Sequence, residues 1–382
     1  MDFSFTEDQN AIRDLANQIF TDRSTDEFLM GFSRSDATYD DQLWNTLAEQ
    51  GLLGICVPED FGGTGLGFVE LCSILEEQGR RVAPVPLFSS LVLGGLPIAQ
   101  FGNDAQKEKW LTPMAAGQKK LTAAVAELGM TTAMIPTVTA KKDGDDWVLN
   151  GEKHAVADGA VADCILVPAV DDNGQNTFFL LDTQAEGVTV TGQSNFSGET
   201  KASLKLDNAK LNADAVLGKQ GQGDEIMNWL EQYADTALSA MQLGVCDEAL
   251  KRTAEFTCER KQFGSPIGSF QAVAMRAADA FIDLEAMRST TWQAMWRLSE
   301  GRDCDIEIRA AKWWACTGGH RVVHAAQHLH GGMGADVEYP IHRFFIMAKE
   351  ISFMLGSSAV QLSKLGQELA NNDKTGVQAL VV

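Results

Sequence analysis

Near its carboxyl-terminal end the chain reads "FMLGSS", from Phe353 to Ser358, interrupting what otherwise looks like one long helical segment. Gly356, Ser357 and Ser358 could open room there for a ligand, whereas Leu355, just before them, has no group that accepts a proton. His320, His324 and His328 recur every fourth residue, so on a helix they form a stripe that could meet a metal. No His-Glu-x-x-His and no Cys-x-x-Cys accompanies them, which favours surface or interface histidines and assigns no metal. Gly62, Gly63, Gly65 and Gly67 in "VPEDFGGTGLG" miss the G-x-G-x-x-G spacing, because position 68 is Phe, and read as a connector. Neither Gly-x-Ser-x-Gly nor a catalytic Cys/His arrangement occurs.

These residues need elements to hold them. Thr6 and Gln9 make a capping-box pattern, and Ile12, Leu15, Ala16, Ile19 and Phe20 then share one helical face. Helical texture continues through "YDDQLWNTLAEQG", with Gly51 as a stop, and "FVELCSILEEQG", ending at Gly79. Near residue 120 the texture changes. "WVLNGEKHAV", "ADCILVPAV", "NTFFLLD" and "GVTVTG" read as short strands between the turn signals "KDGDD" and "DDNGQN", which suggests a small β-sandwich or barrel. After about residue 220 long helical patterns return, and "TTWQAMWRL" and "AKWWA" place aromatic residues at the spacing of a bundle core or subunit interface. The fold class is α+β: a helical domain over 1–120, a β domain over 121–219 and a helical bundle over 220–382.

The chain has 382 residues, 45% hydrophobic and 22% charged, as an ordinary globular protein has. A formal net charge of −21 argues against a nucleic-acid partner, which requires a basic face. No apolar run is long enough for a membrane span, and the start lacks a signal-peptide pattern, so a cytoplasmic location is expected. The seven scattered cysteines suit reduced thiols.

Three stretches, "RKQFGSPIGSFQA" at 260–272, "HGGMGADVEYPIHR" at 330–343 and the "GSS" after Leu355, stand in order behind "VPEDFGGTG" and "WVLNGEK". Together they make the chain resemble the acyl-CoA dehydrogenase family over nearly its whole length. The resemblance implies a flavoprotein with an N-terminal helical domain, a middle β domain and a C-terminal four-helix bundle, assembled as a dimer of dimers. FAD would lie between the β domain and the bundle and across a subunit interface. The implied reaction is α,β-dehydrogenation of an acyl-CoA thioester, with electrons passed to an electron-transfer flavoprotein. Arg260, with Gln262 and Phe263 beside it, matches the family arginine that reaches the FAD pyrophosphate of a neighbouring subunit, and a guanidinium offers phosphate a planar fork of donors. Gln271 matches another nucleotide contact. Gly331, Gly332 and Gly334 would admit the adenosine part, with His328 nearby where Gln is typical, and Gly356 and Ser357 match the break that approaches the flavin.

The departures from the family pattern are as informative. Leu355 matches the position of the catalytic Glu, and Ala234 matches the alternative base position on an earlier bundle helix, so neither supplies a base. Asp235, where the family usually has Arg, is the candidate carboxylate. Glu350 is a weaker candidate, since five residues at ~100° each turn it to another face than Leu355. Ala155 and Ala157 stand where relatives carry Trp and Thr or Ser against the flavin ring, and in "VAELGMTT" Glu127 is retained while Leu128 replaces Pro. These changes weaken the chain's own ring site more than its bundle contacts. They also fit "RRVAPVPLFSSLVL" to a branch in which two different chains share one site. The resemblance therefore leaves three readings: a dehydrogenase subunit, homo- or heterotetrameric; a non-catalytic or half-site subunit of a heteromer; or an acyl-CoA-binding flavoprotein with different elimination chemistry.

Overall fold

The computed structural model describes residues 5–126, 136–193, 195 and 200–371. The first helix, α1 (Glu7–Arg23), begins with the capping box: Thr6 Oγ1 accepts from the Gln9 N–H at 3.2 Å and Gln9 Oε1 accepts from the Thr6 N–H at 3.0 Å. It is followed by α2 (Asp26–Phe32) and α3 (Asp41–Glu49), and the chain then turns at Gly51, φ +74°. Helix α4 (Phe68–Arg81) runs two residues past Gly79 and ends at Val82. Gly79 is therefore no helix stop. A Cβ on it would sit 2.1 Å from the Met241 carbonyl oxygen, and one on Gly244 would sit 1.8 Å from that of Glu76, so the two glycines let a later helix cross α4 backbone to backbone. A buried π-helix, Phe88–Gly95, leads into α5 (Leu96–Phe101) and α6 (Asp104–Ala115).

The middle segment forms one mixed sheet of β1 (Leu121–Ala123), β2 (Thr139–Asp143), β3 (Asp146–Ala157), β4 (Cys164–Asp171), β5 (Asn176–Asp182), β6 (Val188–Gln193), β7 (Lys201–Leu211) and β8 (Val216–Leu217). The strand order is β6-β7-β3-β2-β4-β5-β8, with β1 parallel to β4. Along β3 and β7 alternate residues are buried, and Trp147, Leu149, Leu204 and Leu206 join a core separate from that of the helices. The β3–β7 register shifts between Lys153 and Val156, and Ala155 there has φ +52°.

The remainder is helical: α7 (Gly223–Glu259), α8 (Gln271–Ser299), α9 (Asp305–Leu329), α10 (Ile341–Phe353) and α11 (Ser358–Asn371). A short hairpin of β9 (Lys261–Gln262) and β10 (Ser265–Pro266) separates α7 from α8. Helices and sheet alternate as the sequence predicts, a helical, a β and a helical part in that order. None of the described helices is long and apolar enough to cross a membrane.

Candidate functional site

The hairpin after α7 presents the predicted nucleotide contacts. Gln262 pairs with Ser265, and the two residues between them, Phe263 and Gly264, have φ of +53° and +83°. Positive φ at both central positions is the requirement of a type I′ turn, met at little cost by Gly but not by Phe. Phe263 is 95% exposed, and its ring makes an edge contact to Phe270 at 6.2 Å between centroids. Arg260 caps the end of α7 and is exposed, and among the described residues its guanidinium has no hydrogen-bond or ion-pair partner. Gln271 opens α8 and is exposed too. An outlying backbone that holds an aromatic ring in solvent beside an unpaired guanidinium marks a surface made to receive something.

The glycine-rich corner after α9 divides. A Cβ on Gly331 or Gly332 would meet nothing within 4 Å, so both backbones are open to an approaching group, and His328 is exposed close by in sequence. Gly334 instead packs on its own chain, since a Cβ there would lie 2.2 Å from the Gln327 carbonyl oxygen. His330 is buried, stacked on Phe256 at 4.3 Å, with Nδ1 2.8 Å from the Ala326 carbonyl. The rings of His320 and His324 lie 5.2 Å apart, and among the described residues no cluster of three or more His, Cys, Asp or Glu could hold a metal.

Asp235 is placed by α7. Two residues earlier Tyr233 packs edge-on against Phe68 of α4, so a turn of ~200° aims Asp235 away from the N-terminal helices and towards α9. There it is fully buried, with Oδ2 accepting from Arg309 Nη1 at 2.7 Å and from Gln361 Nε2 at 3.0 Å. Arg309 Nη1 also reaches Glu231 Oε1 at 3.1 Å, and Lys364 of α11 pairs with that same oxygen. Burial pushes the Asp235 carboxyl up to about 6 against the pull of Lys312 and Arg309. Among the described residues its Oδ1 has no hydrogen-bond partner, which adds to the cost of the charge. Sequence patterning misses Arg309 and Lys312, although both are cations on the face of α9 that carries Ile308, Ala311 and Ala315, an arrangement that signals a buried ion pair.

The break between α10 and α11 holds Leu355 at φ +56° and Gly356 at φ +103°, and Leu355 packs partly against the bundle core. Glu350, the second candidate carboxylate, is buried and paired with Lys201. Lys201 lies beside Ala157 in the β3–β7 ladder, so this pair ties the sheet to α10. Asp158, the next residue, is half-buried. Its Oδ2 accepts from Ser89 Oγ of the π-helix at 2.5 Å, and burial raises its carboxyl to about 6 despite Ser89 and Lys201. Ala157 offers only its carbonyl, taken by Thr122 Oγ1 at 2.7 Å. The segment of Glu127 and Leu128 lies outside the described residues.

The groups present divide the same way against the cofactor that the resemblance implies. The Arg260 hairpin and the open Gly331–Gly332 backbone suit a phosphate-bearing nucleotide. The ring side does not fit. Two alanines stand where a hydrogen-bonding wall is needed, and the Lys201–Glu350 pair bridges sheet and bundle beside them.

Comparison with known proteins is consistent along the chain. The models of the acyl-CoA dehydrogenase N-terminal, middle and C-terminal domains match residues 6–118, 123–208 and 221–370. Acyl-CoA dehydrogenase FadE27 of Mycobacterium tuberculosis is 36% identical over 379 residues, covering 97% of this chain and 99% of that protein. The fold is similar to the ChsE4-ChsE5 complex from Mycobacterium tuberculosis, with a TM-score of 0.91 at 36% identity over 97% of this chain and 100% of that one. It is also similar to a variant of the Tcur3481-Tcur3483 steroid ACAD, with a TM-score of 0.89 at 42% identity over 96% and 98% of the two chains. With all three domain models matched in order and one relative 36% identical from end to end, the chain belongs to the acyl-CoA dehydrogenase family.

Proposed function

We propose that this chain is the half-site subunit of a heteromeric, FAD-dependent acyl-CoA dehydrogenase. It donates nucleotide contacts to a site completed by a related chain that carries the catalytic base. The observation that carries this reading is the contrast between an exposed, unpaired Arg260 and a Leu355 without proton-accepting chemistry at the break. Two of the similar structures are named for pairs of chains, which supports the assembly.

In this reading Arg260 would hold the pyrophosphate with its guanidinium, Phe263 would pack its ring against the partner surface, and Gln262 and Gln271 would orient the nucleotide. Gly331 and Gly332 admit the adenosine part, with His328 at its edge, and Gly356 and Ser357 let the break come close. FAD, its ring held by the partner chain, would supply the hydride acceptor, with electrons passed on to an electron-transfer flavoprotein. The α proton goes to the partner's carboxylate. Asp235 is not assigned that step, because its Oδ2 is committed to Arg309 and Gln361, and Glu350 is committed to Lys201. Leu355 contributes an apolar wall. The substrate class is a ring-bearing, steroid-like acyl-CoA thioester, after the steroid ACAD to which the chain is similar.

The test is co-expression with a related chain that has Glu at the position matching Leu355. One FAD for every two chains, bleached by a steroid acyl-CoA, supports the reading. A chain that alone saturates with one FAD per subunit and oxidises the thioester overturns it.

A further inference from the structure

The left-handed Leu355 has to be imposed, since leucine avoids that region unless its surroundings dictate it. The surroundings converge on Gln361, a fully buried residue of α11. Its backbone N–H donates to the Ser357 carbonyl at 3.0 Å, and its Nε2 reaches both Asp235 Oδ2, at 3.0 Å, and the Leu355 carbonyl, at 3.4 Å. Arg309 fixes Asp235 from α9 and Glu231 fixes Arg309, while Lys364, one turn beyond Gln361 on α11, closes the circuit on Glu231. On the other side of the break, Lys312 Nζ donates to the Ile351 carbonyl at 2.9 Å and so anchors the carbonyl end of α10 with a cation. Three helices thus spend a set of buried charges on aiming one amide at one carbonyl.

We propose that Gln361, oriented by Asp235 and Arg309, is a positioning residue that holds Leu355 left-handed and so sets the surface the break offers to a cofactor or partner chain. The clamp deepens the half-site reading by saying how the break keeps its shape, but it acts within this chain and stands whether or not FAD is held there.

The test is made on the full chain, in whatever assembly it purifies, by hydrogen exchange and by a double-mutant cycle. In Gln361→Ala, amide exchange at Met354 to Ser357 is expected to accelerate at least tenfold, with the middle of α7 and of α9 unchanged. Gln361→Met keeps the volume without the donor and gives the same local loosening should alanine collapse the bundle. Leu355→Gly is expected to lower the unfolding midpoint more in the Gln361→Ala background than in the parent, because only the clamped parent gains from glycine at a left-handed position. Unchanged exchange at the break in both Gln361 variants, or strictly additive midpoint shifts, overturns the proposal. Since neither measurement uses flavin or substrate, a failure of the half-site reading would show in FAD content and leave these results standing.

Discussion

Arg309 Nη1 donates to Asp235 Oδ2 at 2.7 Å, joining α9 to α7 in the interior of the bundle with Asp235 fully enclosed. Each charge is tolerated because the other is there. Asp235→Ala should therefore destabilise the chain, though by less than the ~3–5 kcal/mol for stranding one member of a buried pair, because Arg309 keeps Glu231. Asp235→Asn, which keeps an acceptor for Arg309 and Gln361, should cost much less. Urea unfolding of the two variants beside the parent checks this.

The pH dependence of stability follows from two carboxyls drawn away from water, Asp235 fully buried and Asp158 half-buried. Burial is the largest cause in both Asp158 and Asp235, and each is raised to about 6 in the fold. A raised acid binds its proton more tightly when folded, so its stabilising effect is full below the ordinary carboxylate value and disappears as pH rises through about 6. Between pH 7 and pH 5 these two groups should add stability. Asp158→Asn, which still accepts from Ser89, should flatten that part of the profile, as thermal midpoints across the window would show.

Gly79 and Gly244 each face a carbonyl oxygen across the α4–α7 crossing. Alanine at either position must push two backbones apart, and overpacking of this kind costs ~1–3 kcal/mol or more. Both variants should lower the melting midpoint, and Gly144→Ala is a useful contrast, since nothing lies within 4 Å of that position and only its left-handed φ of +67° opposes the substitution.

Arg260→Ala should leave the stability of the chain unchanged, because the guanidinium is exposed and holds nothing within the described residues. In the proposed heteromer it should weaken FAD retention at least tenfold, about the worth of one charged hydrogen bond. Arg260→Lys should recover only part of that loss, having no planar fork. Flavin absorbance after gel filtration reads the difference.

Leu355→Glu restores a carboxylate at the break, yet should give no dehydrogenation by the chain alone. Ala155, Ala157 and the Lys201–Glu350 bridge remain on the ring side. Measurable turnover by that single variant without a partner would contradict the half-site reading.

Local signals in the sequence carry far in this protein, and long-range pairings do not. The Thr6–Gln9 capping box and β3 to β6 are legible because their cues lie within a few residues. Strand β2 is not, since only Ala140 of its five residues is buried and no alternation shows. Gly79 reads as a stop when α4 alone is considered, and its meaning comes from Met241 on another helix. Asp235 and Glu350 look available in the sequence because their partners, Arg309 and Lys201, stand 74 and 149 residues away. Arg260 and Phe263 remain conspicuous at both levels, as exposed side chains, the first without an ion-pair or hydrogen-bond partner among the described residues.

The backbone contact of α4 with α7 has a consequence for motion. At the Gly79–Gly244 crossing the two backbones meet directly, and Phe68 against Tyr233 and Arg80 paired with Asp247 add side-chain contacts between the same two helices, so this seam resists opening. Under the proposed function, opening for a bulky thioester would then fall elsewhere, at the sheet's attachment to α10 or at the turn ahead of α11. The ion pair between Lys201 and Glu350 is a tether that such an opening would have to release.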